Sequence, residues 1–182
     1  MLPKLQSQFN QIEQLKQNLL DSLDQFNESQ LGFRISQDSW SRLQVAQHLV
    51  IVEKVTLAYM QKKILSFPTA KKVGQFAGIR SAFLTLTQRM PFKYKIPTKR
   101  VASEGDVIYS DLKDEWQTIR QHLQTFLGQF SAENIHYPIL RNPLVGLLNI
   151  SQTLRFIEEH FKHHLRQFAR IHRTEESKTH LN

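Results

Sequence analysis

The segment Glu159-His160-Phe161-Lys162-His163-His164-Leu165-Arg166-Gln167 decides how the rest of the chain is read. It lies within a longer amphipathic stretch, residues 150–171, whose apolar positions Leu154, Ile157, Phe161, Phe168 and Ile171 recur at helical spacing. His164 falls on that seam between Phe161 and Phe168, and His160 lies one turn earlier on the same side. Residues four apart are neighbours on a helix surface, so both imidazoles can point at one spot. Histidines aimed into an apolar interior need partners, because a buried polar atom left unsatisfied costs about 1–3 kcal/mol.

Outward from this segment, three further amphipathic stretches have helical period. Residues 3–26 place Leu5, Phe9, Ile12, Leu15, Leu19, Leu23 and Phe26 at three- and four-residue steps, between mostly Gln, Asn, Lys and Asp. Asn27-Glu28-Ser29-Gln30 and Gly32 break that helix. A second helix is expected over 42–65, with Ser41 and Gln44 spaced for a capping box. It is apolar on more than one side. One stripe reads Val45, His48, Val52, Val55, Tyr59, which places His48 among residues that expect burial. A third helix begins near Ser110 or Asp111, either of which can cap it, and carries Leu112, Trp116, Ile119, Leu123, Phe126 and Phe130. Ser151, or Asn149 just before it, can cap the last helix.

The connections are polar and punctuated by proline. Pro68 closes the second helix, residues 78–88 fit a short helix through Ile79, Phe83 and Leu86, and residues 90–105 form a long basic loop around Pro91 and Pro97. Residues 131–148 read as a linker with Pro138, Pro143 and Gly146, and no strand alternation argues for a sheet. The expected architecture is all-α: a four-helix bundle with a long irregular basic connection between helices two and three. One domain should span residues 1–174. A polar tail, 175–182, follows, with fraying expected after His172.

The 182 residues suit one domain, and 40% hydrophobic with 22% charged residues is ordinary for a globular protein. No cysteine is present, which removes disulfides, zinc–thiolate sites and cysteine nucleophiles. No apolar run approaches the length of a membrane span, and the first eight residues are too polar for a signal-peptide core, so a cytoplasmic location is expected. The net charge of +8 is local: no acidic residue separates Glu53 from Glu104, whereas eleven lysines and arginines fall there.

The buried histidines suggest a divalent cation held by His48, His160 and His164. A cation meeting three lone pairs satisfies all three rings, provided each remaining ring nitrogen finds an acceptor. Three histidines with an open position are also the ligand set of catalytic zinc. Zinc or nickel is favoured, and iron or cobalt would accept the same ligands. Phe161 stands where a zincin protease requires glutamate, so that class is rejected. The lone Glu133-Asn134-Ile135-His136 precedes Pro138 in the linker and does not build a di-iron bundle. His163 is turned about a hundred degrees from His164. It and Gln167 are candidates for the rim or for support of the ligands, though a solvated His163 is the plainer reading. Glu53 is turned away from His48, so no general base is evident.

Trp40-Ser41 opening a helix, His48-Leu49 within it, Pro143, Gly146, and then His160-Phe161-Lys162-His163-His164-Leu165-Arg166-Gln167 together resemble the DinB-like superfamily, over roughly residues 40–171. The resemblance implies a four-helix bundle holding one divalent metal through one histidine of the second helix and two of the last: His48, His160 and His164. It also implies an activity among those of the superfamily, which include thiol-dependent S-transferases, a maleylpyruvate isomerase and metal-dependent hydrolases.

The favoured function is metal-dependent transfer of a small thiol cosubstrate to an electrophile. A cation lowers the pKa of a bound thiol, and with no cysteine in the chain the sulfur must come from a low-molecular-weight thiol. Arg89, Lys93, Lys95, Lys99 and Arg100 are candidates to hold its carboxylates, against the plainer reading of a solvated basic face. The same cation could instead activate water to hydrolyse a small ester or amide. A non-enzymatic module for nucleic acid or protein, with a structural or vestigial metal site, is the third reading. Phe92 and Tyr94 interleave the basic stretch, but no recognition motif accompanies them and the buried histidines go unexplained, so nucleic acid is disfavoured. The first helix could supply a homodimer face, although an intramolecular core accounts equally for its stripe.

Overall fold

The structure, a computed structural model, describes residues 1–66, 107–143 and 145–179. Five helices and one hairpin are ordered along these residues: α1 (Pro3–Leu23), α2 (Glu28–Gly32), α3 (Arg42–Ile64), α4 (Tyr109–Leu127), β1 (Leu140–Asn142), β2 (Gly146–Leu148) and α5 (Ile150–Thr179). The four long helices form a closed ring in which α1 packs on α5, α5 on α3, α3 on α4, and α4 back on α1. This is an all-α bundle, as the periodicity predicts. The predicted helix at 78–88, the basic loop at 90–105, and Arg89, Lys93, Lys95, Lys99 and Arg100 lie outside the described residues.

Each long helix buries the stripe that its spacing prescribes. Leu5, Phe9, Ile12, Leu19 and Leu23 of α1 meet Leu112, Trp116, Ile119, Leu123 and Phe126 of α4 and Leu154, Ile157, Phe161 and Phe168 of α5 in one core. The exception is α3. Val55 and Tyr59, expected on the buried stripe, are exposed, and the inward face instead runs through Val45, Ala46, His48, Leu49, Val50, Glu53, Thr56, Leu57 and Met60. A helix apolar on several sides gives no single stripe to follow, so its rotation was set by its neighbours.

The helix starts follow local chemistry. Ser41 caps α3 with a reciprocal box: its hydroxyl accepts from the Gln44 amide at 3.2 Å, and Gln44 Oε1 accepts from the Ser41 amide at 3.0 Å. Asn149, not Ser151, caps α5 in the same way, exchanging 3.0 Å bonds with Gln152. Asn27 and Gln30, read as breakers, also form a box and start the short α2. Neither Ser110 nor Asp111 caps α4. The helix begins at Tyr109, whose hydroxyl donates to Asp24 Oδ1 at 2.8 Å, so a contact with α1 fixes that end.

Two expectations are corrected. Residues 131–148 contain an antiparallel hairpin, Leu140 opposite Leu148 and Asn142 opposite Gly146. Gly146 has φ 81°, a left-handed conformation that glycine adopts without strain, and Asn142 Oδ1 accepts from the Val145 amide at 3.2 Å. The last helix does not fray after His172 but continues to Thr179. Its final turns are held by Arg42, a fully buried residue. Arg42 donates from Nη2 to Glu175 Oε2 and from Nη1 to the Gln30 carbonyl, both at 2.5 Å, and its guanidinium lies 4.2 Å from the Phe26 ring centroid.

A second buried ion pair ties α3 to α4. Arg120 Nη2 donates to Glu53 Oε1 at 2.7 Å, and the Trp116 indole N–H donates to Glu53 Oε2 at 3.2 Å. Burial pushes the Glu53 carboxyl above its ordinary range, with Arg120 and the indole N–H opposing the rise.

Breaking a buried pair by removing one partner costs about 3–5 kcal/mol. Glu175 keeps 18% exposure, so the smaller loss of about 1–3 kcal/mol is expected for Glu175→Ala, or roughly 3–10 °C in Tm. Thermal denaturation measures it. A Tm within about 1 °C of wild type would mean that the last two turns of α5 are not anchored by Arg42.

Candidate metal centre

His48 projects from the inward face of α3, and His160 and His164 project from successive turns of α5 where the two helices adjoin. Their Nε2 atoms converge. His48 Nε2 lies 3.3 Å from His160 Nε2, and His164 Nε2 lies 3.2 Å from the same atom. All three ligand atoms fall within 4.8 Å of one another, the arrangement of a group that could hold a metal ion. A tetrahedral centre with bonds of about 2.0–2.1 Å to imidazole nitrogen sets neighbouring donors roughly 3.3–3.4 Å apart. The observed separations therefore fit a single cation.

The site is dry at its back and half-open at His160. His48 is 5% exposed and His164 7%, whereas His160 is half-buried. Burial of each ring, with a smaller repulsion from neighbouring imidazoles, disfavours the protonated forms. It lowers the His48 pKa to about 4 and that of His164 to about 3, and pushes His160 well below the ordinary range. All three rings are thus neutral at pH 7, the form in which imidazole offers a lone pair to a metal.

The tautomer of His164 is set by Gln167. Gln167 Oε1 lies 3.0 Å from His164 Nδ1, and as an acceptor it requires the proton there, leaving Nε2 as the free lone pair. Gln167 is three residues on, within reach of His164 across one turn of the helix. His48 Nδ1 has no hydrogen-bond partner among the described residues. His163 is half-buried, its ring edge-on to His164 at 5.1 Å between centroids, and it does not join the converging group. Both carboxylate oxygens of Glu53 are engaged by Arg120 and Trp116, which agrees with its exclusion as a base.

Aromatic rings line the group on two sides. Trp40 lies 4.7 Å from the His48 ring and stacks on His164 at 5.9 Å and 17°. Phe156 stacks on His160 at 5.9 Å and 27°, and packs in turn against Val145 and Leu148 of the hairpin region. Residue types alone do not mark either ring as belonging to the site. The hairpin that sequence reasoning missed is what backs Phe156.

The bundle brings three histidines of two helices to one point, in a group that could hold a metal ion. The family model of the DinB superfamily matches residues 11–168, and the chain belongs to that superfamily. It is similar to the uncharacterized protein YuaE of Bacillus subtilis (strain 168), with 23% identity over 151 residues, 83% of this chain and 88% of that one. No solved structure matches. Among the described residues no helix is long and apolar enough to cross a membrane.

The depressed histidine pKa values carry a sign for stability. In the unfolded chain each histidine takes a proton near pH 6.5, whereas in the fold His48 and His164 do so only near pH 4 and 3. Between those limits the unfolded state binds more protons, so stability is full above about pH 6.5 and falls as pH drops toward 4. In chelator-treated protein, the urea midpoint should fall between pH 7 and pH 4.5 more steeply for wild type than for a His48→Asn, His164→Asn double variant. Parallel pH profiles would place these rings in water.

Proposed function

We propose that the chain is a metal-dependent enzyme in which His48, His160 and His164 hold one divalent cation and that it transfers a small thiol cosubstrate to an electrophile. The observation that carries this reading is the convergence of three desolvated, neutral imidazoles in a DinB-superfamily bundle, with His160 Nε2 at 3.3 and 3.2 Å from those of His48 and His164 and all three ligand atoms within 4.8 Å. Zinc or nickel suits three imidazoles, and iron or cobalt takes the same donors.

When bound, such a cation supplies Lewis acidity, lowering the pKa of a thiol or water that shares its coordination sphere. The chain's own residues do the rest. Gln167 holds His164 in the tautomer that frees Nε2, and burial keeps all three rings unprotonated. Trp40 lies against His48 and His164, and Phe156 lies against His160. A thiol asks less of such a site than water does, since its pKa is about 8.5 against about 15.7. Glu53, bound to Arg120 and Trp116, is not free to serve as a base for water. Those two facts favour thiol transfer over ester or amide hydrolysis. The sulfur comes from outside, because the chain has no cysteine.

Metal analysis of protein purified without affinity-tag histidines is the first test. About one equivalent of divalent metal is expected in wild type, and His160→Ala, which removes the central donor, should lose most of it. Equal metal content in the two proteins would defeat the proposal.

Transfer chemistry has a separate test. Cobalt-substituted protein titrated with a small carboxylated thiol should develop a thiolate-to-cobalt charge-transfer band, and should consume the thiol only when an electrophile is added. No band with any thiol, together with turnover of esters or amides, would replace transfer by hydrolysis.

A further inference from the structure

We propose that Trp40 is a positioning residue for the metal ligands: its indole holds the His48 and His164 imidazoles in one orientation and keeps bulk water from the cation they share. The proposal rests on the three-histidine reading above.

Trp40 touches ligands from two different helices. Its ring lies 4.7 Å from that of His48 on α3 and stacks at 17° on that of His164 on α5. The relative setting of those two side chains is what α3 and α5 do not fix by themselves. His160 and His164 are kept in register by one helix, but His48 reaches them only across a helix interface. His48 also lacks a hydrogen-bond partner at Nδ1 among the described residues, so no hydrogen bond from that nitrogen fixes the plane of its ring. The tilted contact with the Trp40 ring, 4.7 Å away, supplies a substitute for that missing restraint.

The backbone of Trp40 is placed for the task. It directly precedes Ser41, whose side chain and main chain both bond to Gln44, so the start of α3 is clamped on either side of the peptide. The preceding residues 34–38 are all exposed, and the chain turns inward at Trp40 itself. Trp116, the other tryptophan of the chain, shows what a purely structural indole looks like here: fully buried, bonded to Glu53 and stacked on Phe161. Trp40 differs in being half-buried with its ring against two of the three ligands.

The test is cobalt(II) titration of the chelator-treated protein, read by tryptophan emission and by the visible spectrum of the bound ion. Cobalt should quench the emission component that Trp40→Phe lacks and leave that of Trp116 largely intact. Trp40→Leu, which keeps apolar bulk without the ring, should bind cobalt about tenfold more weakly with an altered visible spectrum. Trp40→Phe, which keeps a ring, should recover most of the affinity. Trp40→Met, made in parallel, decides the matter if Trp40→Leu does not fold. Wild-type affinity and spectrum in the ring-less variants would overturn the proposal and leave the metal site standing, even with quenching observed. Failure of the wild type itself to bind cobalt, zinc or nickel would overturn both.

Discussion

Three neutral imidazoles converge through Nε2, with His160 Nε2 at 3.3 and 3.2 Å from those of His48 and His164, and lone pairs that face one another there repel. A proton can relieve one pair at most, and burial opposes adding charge to any of the rings. A metal ion relieves all three at once. Much of the described structure can be read as the means of holding that arrangement together. Two of the donors cost the fold almost nothing, since residues four apart on α5 meet on one face. The third has to be delivered by α3 at the right height and rotation, and that is a property of the whole bundle.

Several contacts set that delivery. Trp116 reaches both helices from α4: its N–H binds Glu53 of α3, and its ring stacks at 5.7 Å on Phe161, which adjoins His160 in sequence. Five residues along a helix is about 7.5 Å, so Glu53 fixes α3 little more than a turn from His48. At the other side of His48, Arg42 binds the last turns of α5 through Glu175. The ligand on α3 is thus bracketed by buried ion pairs, each with a partner on a neighbouring helix. A buried ion pair gains little over a well-packed apolar pair, because the desolvation of two charges offsets most of their attraction. Its geometry is narrower, however, since misplaced partners leave uncompensated charge. Fixing the register of α3 against α4 and α5 accounts for placing Arg42, Glu53 and Arg120 in the interior.

What the sequence disclosed follows the range of each interaction. The stripe of α5, the pairing of His160 with His164, the contact of Gln167 with His164 and the Ser41–Gln44 cap all depend on residues within four positions, and all are legible. His48 is legible as a histidine in an apolar helix. The stripe assigned to it is not, because an α3 apolar on several sides admits more than one inward face, and the bundle chose the one that exposes Val55 and Tyr59. The hairpin escapes because three-residue strands are too short to show alternation. The continuation of α5 past His172 depends on Arg42, 133 positions from Glu175, and no local pattern reports such a contact. Trp40 was visible only as a landmark of the family resemblance; its contact with two ligands is a fact of three dimensions.

Membership of the DinB superfamily therefore accounts for the frame and leaves the reaction to be decided around it. Three neutral imidazoles are indifferent donors: they accept several divalent metals, and a cation so held can lower the pKa of sulfur or of oxygen. Selectivity has to come from groups that are not ligands. Among the described residues near the centre, those include Trp40 across His48 and His164, Phe156 across His160, His163 edge-on to His164, and Gln167 at His164 Nδ1. Two are apolar walls, and the carboxylate closest in sequence to His48 along α3 is already committed to Arg120 and Trp116. Among the described residues, these surroundings supply shape more than proton transfer. A nucleophile whose pKa already lies near neutrality needs little more than that, whereas water needs a base as well. In the proposed function, that balance of groups around the three histidines is the argument for a thiol.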